Sequence, residues 1–267
     1  MPIIIGEKIN TINPQVRWAV DERDAAFIRS LAVAQAEAGA DVIDVNVGGH
    51  PGQEPETMHW AVEAIQEVVD LPLAIDSSHP ETVCAGLQVC RNRQGAWANS
   101  ITLEKARLDG VLPLVAESGC WVVGLCMDEG GVPAIPARRL EMARRLIDEV
   151  ERRGVSRERL YLDALIEPIS VNPAAGLIAL ETIKAIRSEL PAAKTVICLS
   201  AISFGLPARR LLNRTYLPLL IGSGVDAIFL DPLDSRLMSA LKAAQALLGR
   251  DAHGLEYIAA YRSKQLE

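Results

Sequence analysis

Carboxylate and carboxamide side chains recur in this sequence where short apolar stretches end. Asp76, Asn99 and Asp163 lie at the ends of three such stretches, and Glu7 and Asn46 lie at the ends of two earlier ones. A carboxylate can accept two N–H bonds from an amino group and its neighbouring ring nitrogen, and a carboxamide both donates and accepts. These groups suit a neutral heterocycle rich in hydrogen-bonding atoms, such as an aminopyrimidinone, better than a phosphate or a sugar. No Ser-His-Asp or Cys-His arrangement competes for the chemistry.

The elements that position these groups repeat one pattern of helix, glycine, apolar strand and polar tip. In residues 38–48, Gly39 suits the left-handed conformation that follows a helix, and a β-branched run then predicts a buried parallel strand. The pattern returns at residues 116–128 and 221–232, and more loosely at 152–163. It predicts strand six at 160–163 and strand seven at 194–200, with a loop to about residue 20 after the first strand and a Gly- and Pro-rich loop at 48–55 after the second. Eight such strand–helix units predict an α/β fold, a single (β/α)8 TIM barrel over residues 1–267. A doubly wound open sheet is the alternative, although no strand is followed by GxGxxG.

In a barrel, the carboxyl ends of all the strands face one mouth, where catalytic residues belong. Asp76, Asn99 and Asp163 are therefore interpreted as functional. Helix capping, turn formation or packing is the favoured interpretation for the other polar residues near strand ends. These are Asp44, Ser77, Ser78, Asp128 and Asp231.

Charge and composition exclude several other classes of protein. The net charge of −7 argues against binding to nucleic acid through the phosphate backbone. No apolar run is long enough for a membrane span, and the amino-terminal residues lack a signal-peptide layout. An odd number of cysteines, five, with no CxxC pair predicts a cytoplasmic protein, and four scattered histidines predict no metal site.

Seven segments, in order along nearly the whole chain, resemble the methyltetrahydrofolate:corrinoid protein methyltransferases. That group belongs to the pterin-binding TIM barrels, together with the folate domain of cobalamin-dependent methionine synthase and dihydropteroate synthase. The segments are residues 5–10, 38–48, 74–78, 97–101, 161–163, 199–200 and 212–216.

The resemblance implies a methyltransferase of one-carbon metabolism that acts as a homodimer. It implies transfer of a methyl group between N5 of tetrahydrofolate and the cobalt of a cobalamin (corrinoid) carried by a separate protein, with N5 protonation assisting. The folate is a substrate, 5-methyltetrahydrofolate in its methylated form, and neither a membrane nor a nucleic acid takes part. Matching residues take the family's roles. Asp76, Asn99 and Asp163 are expected to be catalytic and to bind the pterin, which Glu7, Asn46, Ser203 and Arg209 are also expected to contact. For Arg209, a structural salt bridge stays an open alternative.

Ala201 departs from the family pattern, which has asparagine at this position, implicated in a hydrogen bond to N5. Three explanations stay open: water or Ser203 supplies the bond, the methyl donor or acceptor differs, or the enzyme is slow. Two other functions also stay open. One is a dihydropteroate synthase-like enzyme, which the absence of lysine from the loop after strand seven disfavours. The other is a pterin-binding protein with weak or no catalysis.

Overall fold

Eight parallel strands close a barrel in the order in which they occur along the chain. The predicted fold is therefore confirmed. The computed structural model describes residues 1–49 and 52–267. His50 and Pro51 lie outside the described residues. His50 is one of the four histidines, and both residues belong to the Gly- and Pro-rich loop predicted after the second strand. The strands are β1 (Ile3–Asn10), β2 (Val42–Asn46), β3 (Leu73–Asp76), β4 (Trp97–Ile101), β5 (Trp121–Leu125), β6 (Leu160–Asp163), β7 (Lys194–Cys198) and β8 (Ala227–Leu230).

Helices cover the outside of the barrel and pack on it through their apolar faces. The helices are α1 (Pro14–Asp21), α2 (Ala25–Glu37), α3 (Glu54–Gln66), α4 (Pro80–Val89), α5 (Lys105–Ser118), α6 (Pro136–Arg152), α7 (Ala175–Glu189), α8 (Arg209–Ser223), α9 (Ser235–Leu247) and α10 (Leu255–Arg262). Helix α6 shows the principle, because Leu146, Ile147 and Val150 are buried while its arginines and glutamates mostly face outward. None of the helices in the described ranges is long and apolar enough to span a membrane.

Two boundaries differ from the sequence prediction in ways that affect the mouth. The segment predicted as a loop after the first strand contains α1, which Asn13 caps by accepting the N–H of Gln15. Eight residues are too few to show a clear helical period, so this helix was missed. Strand β7 ends at Cys198, two residues early, and Leu199–Ser203 forms a 3₁₀ turn that carries Ala201.

The interior of the barrel is filled from its amino-terminal end. Trp97, Trp121 and Tyr161 pack together there, with the Lys194 ammonium 4.3 Å from the centroid of the Trp121 ring. Other apolar side chains complete this plug, and they include Ile5, Val42, Ala74, Val123, Val196, Ala227 and Phe229. Because this plug closes one end, the carboxyl ends of the strands form the only open side of the interior that the described residues leave for a ligand.

Candidate functional site

A polar layer lies directly above the apolar plug. Side chains two residues apart on a strand share a face, so each inward apolar residue is followed by an inward residue one layer higher. In this way Ile5, Val42, Ala74, Trp97, Tyr161 and Val196 are followed by Glu7, Asp44, Asp76, Asn99, Asp163 and Cys198. The structure thus brings Glu7, Asp76, Asn99 and Asp163 to one layer of the mouth, as the sequence predicted.

Two carboxamides each donate a hydrogen bond to a carboxylate on another strand. Asn46 Nδ2 donates to Asp76 Oδ2 at 2.8 Å, and the Gly48 N–H donates to Asn46 Oδ1 at 3.2 Å, which fixes the orientation of that amide. Asn99 Nδ2 donates to Asp44 Oδ1 at 3.1 Å. This bond spans from β4 to β2 because Ala74, which pairs with Asp44 on the intervening β3, is small.

The position of Asp44 differs from the sequence interpretation, in which capping or packing is the favoured role of this residue. It is buried inside the barrel and belongs to the polar layer. The signal was present, since Asp44 alternates with Asn46 on one strand. Burial and the nearby carboxylates of Asp76 and Glu7 raise the pKa of Asp44 well above its ordinary value, against the bond from Asn99.

The pKa values of Asp76 and Asp163 lie close to neutral pH. Burial raises the pKa of Asp76 to about 6, although the bond from Asn46 and the charge of Arg107 act in the opposite direction. Burial raises the pKa of Asp163 to about 7, opposed by the Leu165 N–H, which donates to Asp163 Oδ1 at 2.7 Å, and by Arg139. Such displaced values are typical of functional sites.

Arg139 supports the Asp163 side of the mouth and was not singled out from sequence. The residue is fully buried on α6, and its guanidinium donates to the carbonyl oxygens of Pro133 at 2.8 Å, Ala164 at 2.9 Å and Leu165 at 2.6 Å. Its Nη2 lies 3.4 Å from Glu167 Oε2. Burial lowers the pKa of Arg139. The helix pattern predicts one more surface arginine at this position, so nothing in the sequence singles Arg139 out.

Glu7 has a different kind of partner. Ser200 Oγ donates to Glu7 Oε2 at 3.0 Å, and Cys198 Sγ lies 3.6 Å from the same oxygen. Burial raises the pKa of Glu7, and the Asp231 carboxylate adds to the rise. Lys8 and the two donors act in the opposite direction.

Ser203 and Arg209 lie beside this pair rather than in the polar layer. Arg209 Nη2 donates to the Ser200 carbonyl at 2.8 Å, and its Nε donates to Ser203 Oγ at 3.2 Å. Ser203 is fully buried. Arg209 is exposed and lies 5.7 Å from the Phe204 ring centroid. The described residues offer it no carboxylate within ion-pair distance, so the structure does not contain the salt bridge that was the alternative.

Asp231, Asp128 and Ser77 take the structural roles expected of them, whereas Ser78 makes no capping bond among the described residues. Asp231 accepts the Leu233 N–H at 3.0 Å and pairs with Lys8, and Asp128 accepts the Gly130 N–H at 2.9 Å. Ser77 Oγ accepts the His79 N–H ahead of α4. Ser78 lines a cavity of about 260 Å³ beside Asn46. Within residues 1–49 and 52–267, no group of three or more His, Cys, Asp or Glu side chains could hold a metal ion.

Comparison with known proteins places this chain in a family. The family profile described as "Pterin binding enzyme" matches residues 18–230. The chain belongs to this family. A methylcorrinoid:tetrahydrofolate methyltransferase of Eubacterium limosum is 35% identical over 266 residues, which is 99% of this chain and 97% of that protein. A methionine synthase of Mycobacterium leprae is 29% identical over 84% of this chain, which corresponds to 20% of the synthase.

Solved structures of dihydropteroate synthases share the barrel fold. The dihydropteroate synthase of Yersinia pestis superposes with a TM-score of 0.70 and 17% identity, covering 93% of both chains. The enzyme from Xanthomonas albilineans in complex with 7,8-dihydropteroate superposes with a TM-score of 0.68 and 19% identity, covering 92% of this chain and 94% of that one. At such identities the similarity establishes the fold alone.

Proposed function

We propose that this protein is a methyltransferase that moves a methyl group between N5 of tetrahydrofolate and the cobalt of a separate corrinoid protein. The observation that carries the proposal is the similarity to the Eubacterium limosum methyltransferase along 99% of the chain. The polar layer supports it independently, because the layer offers the carboxylate and carboxamide groups that a pterin ring needs for hydrogen bonding.

The pterin ring fits the chemistry of the polar layer. Its aminopyrimidinone edge presents an amino group and ring nitrogens, which two carboxylates and one carboxamide can bind. We assign this edge to Asp76, Asn99 and Asp163. A carboxyl whose pKa is near 6 or 7 ionises readily when N–H donors arrive, because hydrogen bonds to the charged form lower the pKa again.

Orientation is the second part of the proposed mechanism. Asn99 Nδ2 is bound to Asp44, which leaves Asn99 Oδ1 to accept an N–H of the ligand. Asp76 Oδ2 is bound to Asn46, which leaves Asp76 Oδ1 for the ligand. Side chains held in this way lose little freedom on binding and place the pterin ring in line with the incoming cobalt.

The rim of the mouth fits a protein that carries a corrinoid. Large apolar side chains are exposed on the segments after five different strands, and we call them the apolar rim. They are Ile12, Ile135, Val171, Phe204 and Leu233. The methyl group must enter through this opening, so a macrocycle carried by a partner has to approach across the rim. Exposed apolar surface around an opening is typical of docking sites.

Binding and transfer test the proposal separately. We expect tetrahydrofolate to bind the wild type in calorimetry, to lose most of its affinity in Asn99→Ala and Asp163→Ala, and to bind Glu129→Gln, a change on an exposed loop, as it binds the wild type. We expect methyl transfer from methylcobalamin to tetrahydrofolate, seen as loss of the methylcobalamin absorbance. Absence of wild-type binding would refute the folate assignment. If the protein binds tetrahydrofolate but transfers no methyl group, either from methylcobalamin or from a methylated corrinoid protein, the result would instead favour a pterin-binding protein without catalysis.

The dihydropteroate synthase alternative has only the fold in its support, since its structures are 15–19% identical to this chain. The homodimer and the cytoplasmic location implied by the family resemblance and the cysteine pattern stay predictions, as does one domain over residues 1–267. Light scattering at micromolar concentration tests the dimer, and a monomer across that range would contradict it.

A further inference from the structure

The four carboxyl groups of the polar layer accept hydrogen bonds from different kinds of donor. Asp44 and Asp76 each accept an amide N–H, and Asp163 accepts a backbone N–H. Of these four carboxyl groups, Glu7 is the one for which the described residues include a hydroxyl donor, that of Ser200. An amide N–H does not pass a proton on, whereas a hydroxyl donates through its hydrogen and accepts through its lone pairs at the same time. Only Glu7 therefore has a partner that can relay a proton.

The turn after β7 holds Ser200 in place for such a role. Arg209 Nη2 at 2.8 Å and Ser203 Oγ at 3.3 Å both donate to the Ser200 carbonyl oxygen, which fixes the backbone while the side chain reaches Glu7. Ser200 and Glu7 are both only partly buried, so the pair borders the open part of the mouth. The next residue, Ala201, offers no polar atom beyond its backbone.

We infer that Ser200 and Glu7 form the route by which the proton on N5 of tetrahydrofolate leaves when the methyl group arrives. The inference rests on the proposed methyl transfer. Ser200 contacts the N5 proton, and Glu7 accepts the proton through Ser200. This assigns a role that neither the polar layer nor the family resemblance assigns to the pair.

The step balances as a displacement coupled to a proton transfer. The N5 lone pair forms the new N–C bond, the Co–C bond breaks, and its electron pair stays on the cobalt, which goes from Co(III) to Co(I). N5 then carries both a proton and a methyl group with a positive charge. The proton passes to Ser200 Oγ, whose own proton passes to Glu7 Oε2, and neutral methyltetrahydrofolate and a neutral carboxylic acid remain. In the reverse direction, the same atoms return the proton to N5 as the methyl leaves.

The charged and titratable groups around Glu7 set the pH at which this route operates. Asp231 and Asp44 face it from β8 and β2 and disfavour its ionised form, and Lys8, next to it in the chain, favours it. Cys198 contacts it from β7 as a thiol, since burial raises the pKa of Cys198. With its pKa raised, the Glu7 carboxylate is a stronger base than an exposed glutamate and holds a proton that N5 gives up.

The test is the pH profile of methyl transfer from methylcobalamin to tetrahydrofolate. In the wild type, we expect kcat to rise with pH through an apparent pKa above the ordinary 4.5 of glutamate. Glu7→Gln keeps the size and an acceptor for Ser200 but cannot take the proton. We expect it to lower kcat by on the order of 100-fold, the lower end of general acid–base effects, and to remove that part of the profile. Its tetrahydrofolate affinity should fall far less than its kcat, and its thermal unfolding should stay near that of the wild type.

Three further variants distinguish a proton relay from a purely structural role of the pair. Ser200→Ala should lower kcat like Glu7→Gln, whereas Ser200→Thr, which keeps the hydroxyl, should restore most of it. Asp231→Asn removes a repelling charge and frees Lys8, so the apparent pKa of the profile should move to lower pH.

Each outcome decides the inference. An active wild type whose profile survives unchanged in Glu7→Gln overturns the relay and leaves the methyltransferase proposal intact. A Glu7→Gln protein that loses tetrahydrofolate affinity with kcat preserved overturns it as well, since Glu7 is then a binding group. A wild type that neither binds tetrahydrofolate nor transfers methyl groups overturns the proposed function and the relay together.

Discussion

Replacement of Asp163 by asparagine should make the ligand-free protein more stable at alkaline pH while it weakens folate binding. Asp163 is buried, and its pKa is raised from 3.8 to about 7. Between pH 3.8 and about pH 7, Asp163 therefore keeps its proton in the folded protein, whereas it has lost that proton in the unfolded chain. The free energy of unfolding falls as pH rises between these two values, and the loss is complete above the folded pKa.

The size of the effect follows from the two pKa values. A shift from 3.8 to about 7 corresponds to roughly 4 kcal/mol at pH 8, of which about 2.5 kcal/mol develops between pH 5 and pH 8. Asparagine keeps the acceptor for the Leu165 N–H and has no charge to bury. The wild type should thus lose about 2–3 kcal/mol more than Asp163→Asn over this range.

Urea unfolding of both proteins at pH 5, 6, 7 and 8 measures this difference directly. The comparison cancels the other titrating carboxyls, which are present in both proteins. Glu129→Gln, at an exposed position, should follow the wild type at every pH. Parallel pH dependences of wild type and Asp163→Asn would show that Asp163 ionises at its ordinary pKa and would refute the argument.

Other predictions concern the support of the mouth and its rim. Arg139→Ala removes a fully buried guanidinium from three carbonyl oxygens and should lower the free energy of unfolding in urea by roughly 3–5 kcal/mol. The control Arg138→Ala, at the exposed neighbouring position, should lower it by less than about 1 kcal/mol, and equal losses would contradict the structural role of Arg139. Asn46→Ala removes the donor to Asp76 and should raise the pKa of Asp76 above about 6, so that tetrahydrofolate affinity falls most at acidic pH; a loss independent of pH would speak against this. Val171→Asp on the apolar rim should slow transfer from a methylated corrinoid protein but leave transfer from free methylcobalamin unchanged; equal slowing of both would rule out a docking role.

The repeated helix–glycine–strand pattern is sufficient to predict the barrel from the sequence. Strands buried on both sides read as continuous apolar runs, and that signal is local, so the sequence carries it. Strand β6 shows this, since its predicted range, 160–163, agrees with the structure. Helix α1 shows the limit, because eight residues give too little periodicity and its Asn13 cap is recognised only from its bond to Gln15.

The residue types at the strand ends were also readable from sequence. Glu7, Asn46, Asp76, Asn99 and Asp163 were each expected at the mouth, because parallel strands of a barrel end on one side. What each of them contacts was not readable, since hydrogen-bond partners such as Asn99 and Asp44 lie 55 residues apart in the chain.

Tertiary structure decided which of the polar residues act together. Asp44 joins the site because Ala74 leaves room between β2 and β4, and Arg139 joins because α6 turns this one arginine inward. Only the closed barrel brings Ser200, on the turn after β7, within 3.0 Å of Glu7 on β1. The sequence determines the local elements and the chemistry of their tips, but burial and pairing, which set the pKa of each carboxyl, arise only when distant strands meet.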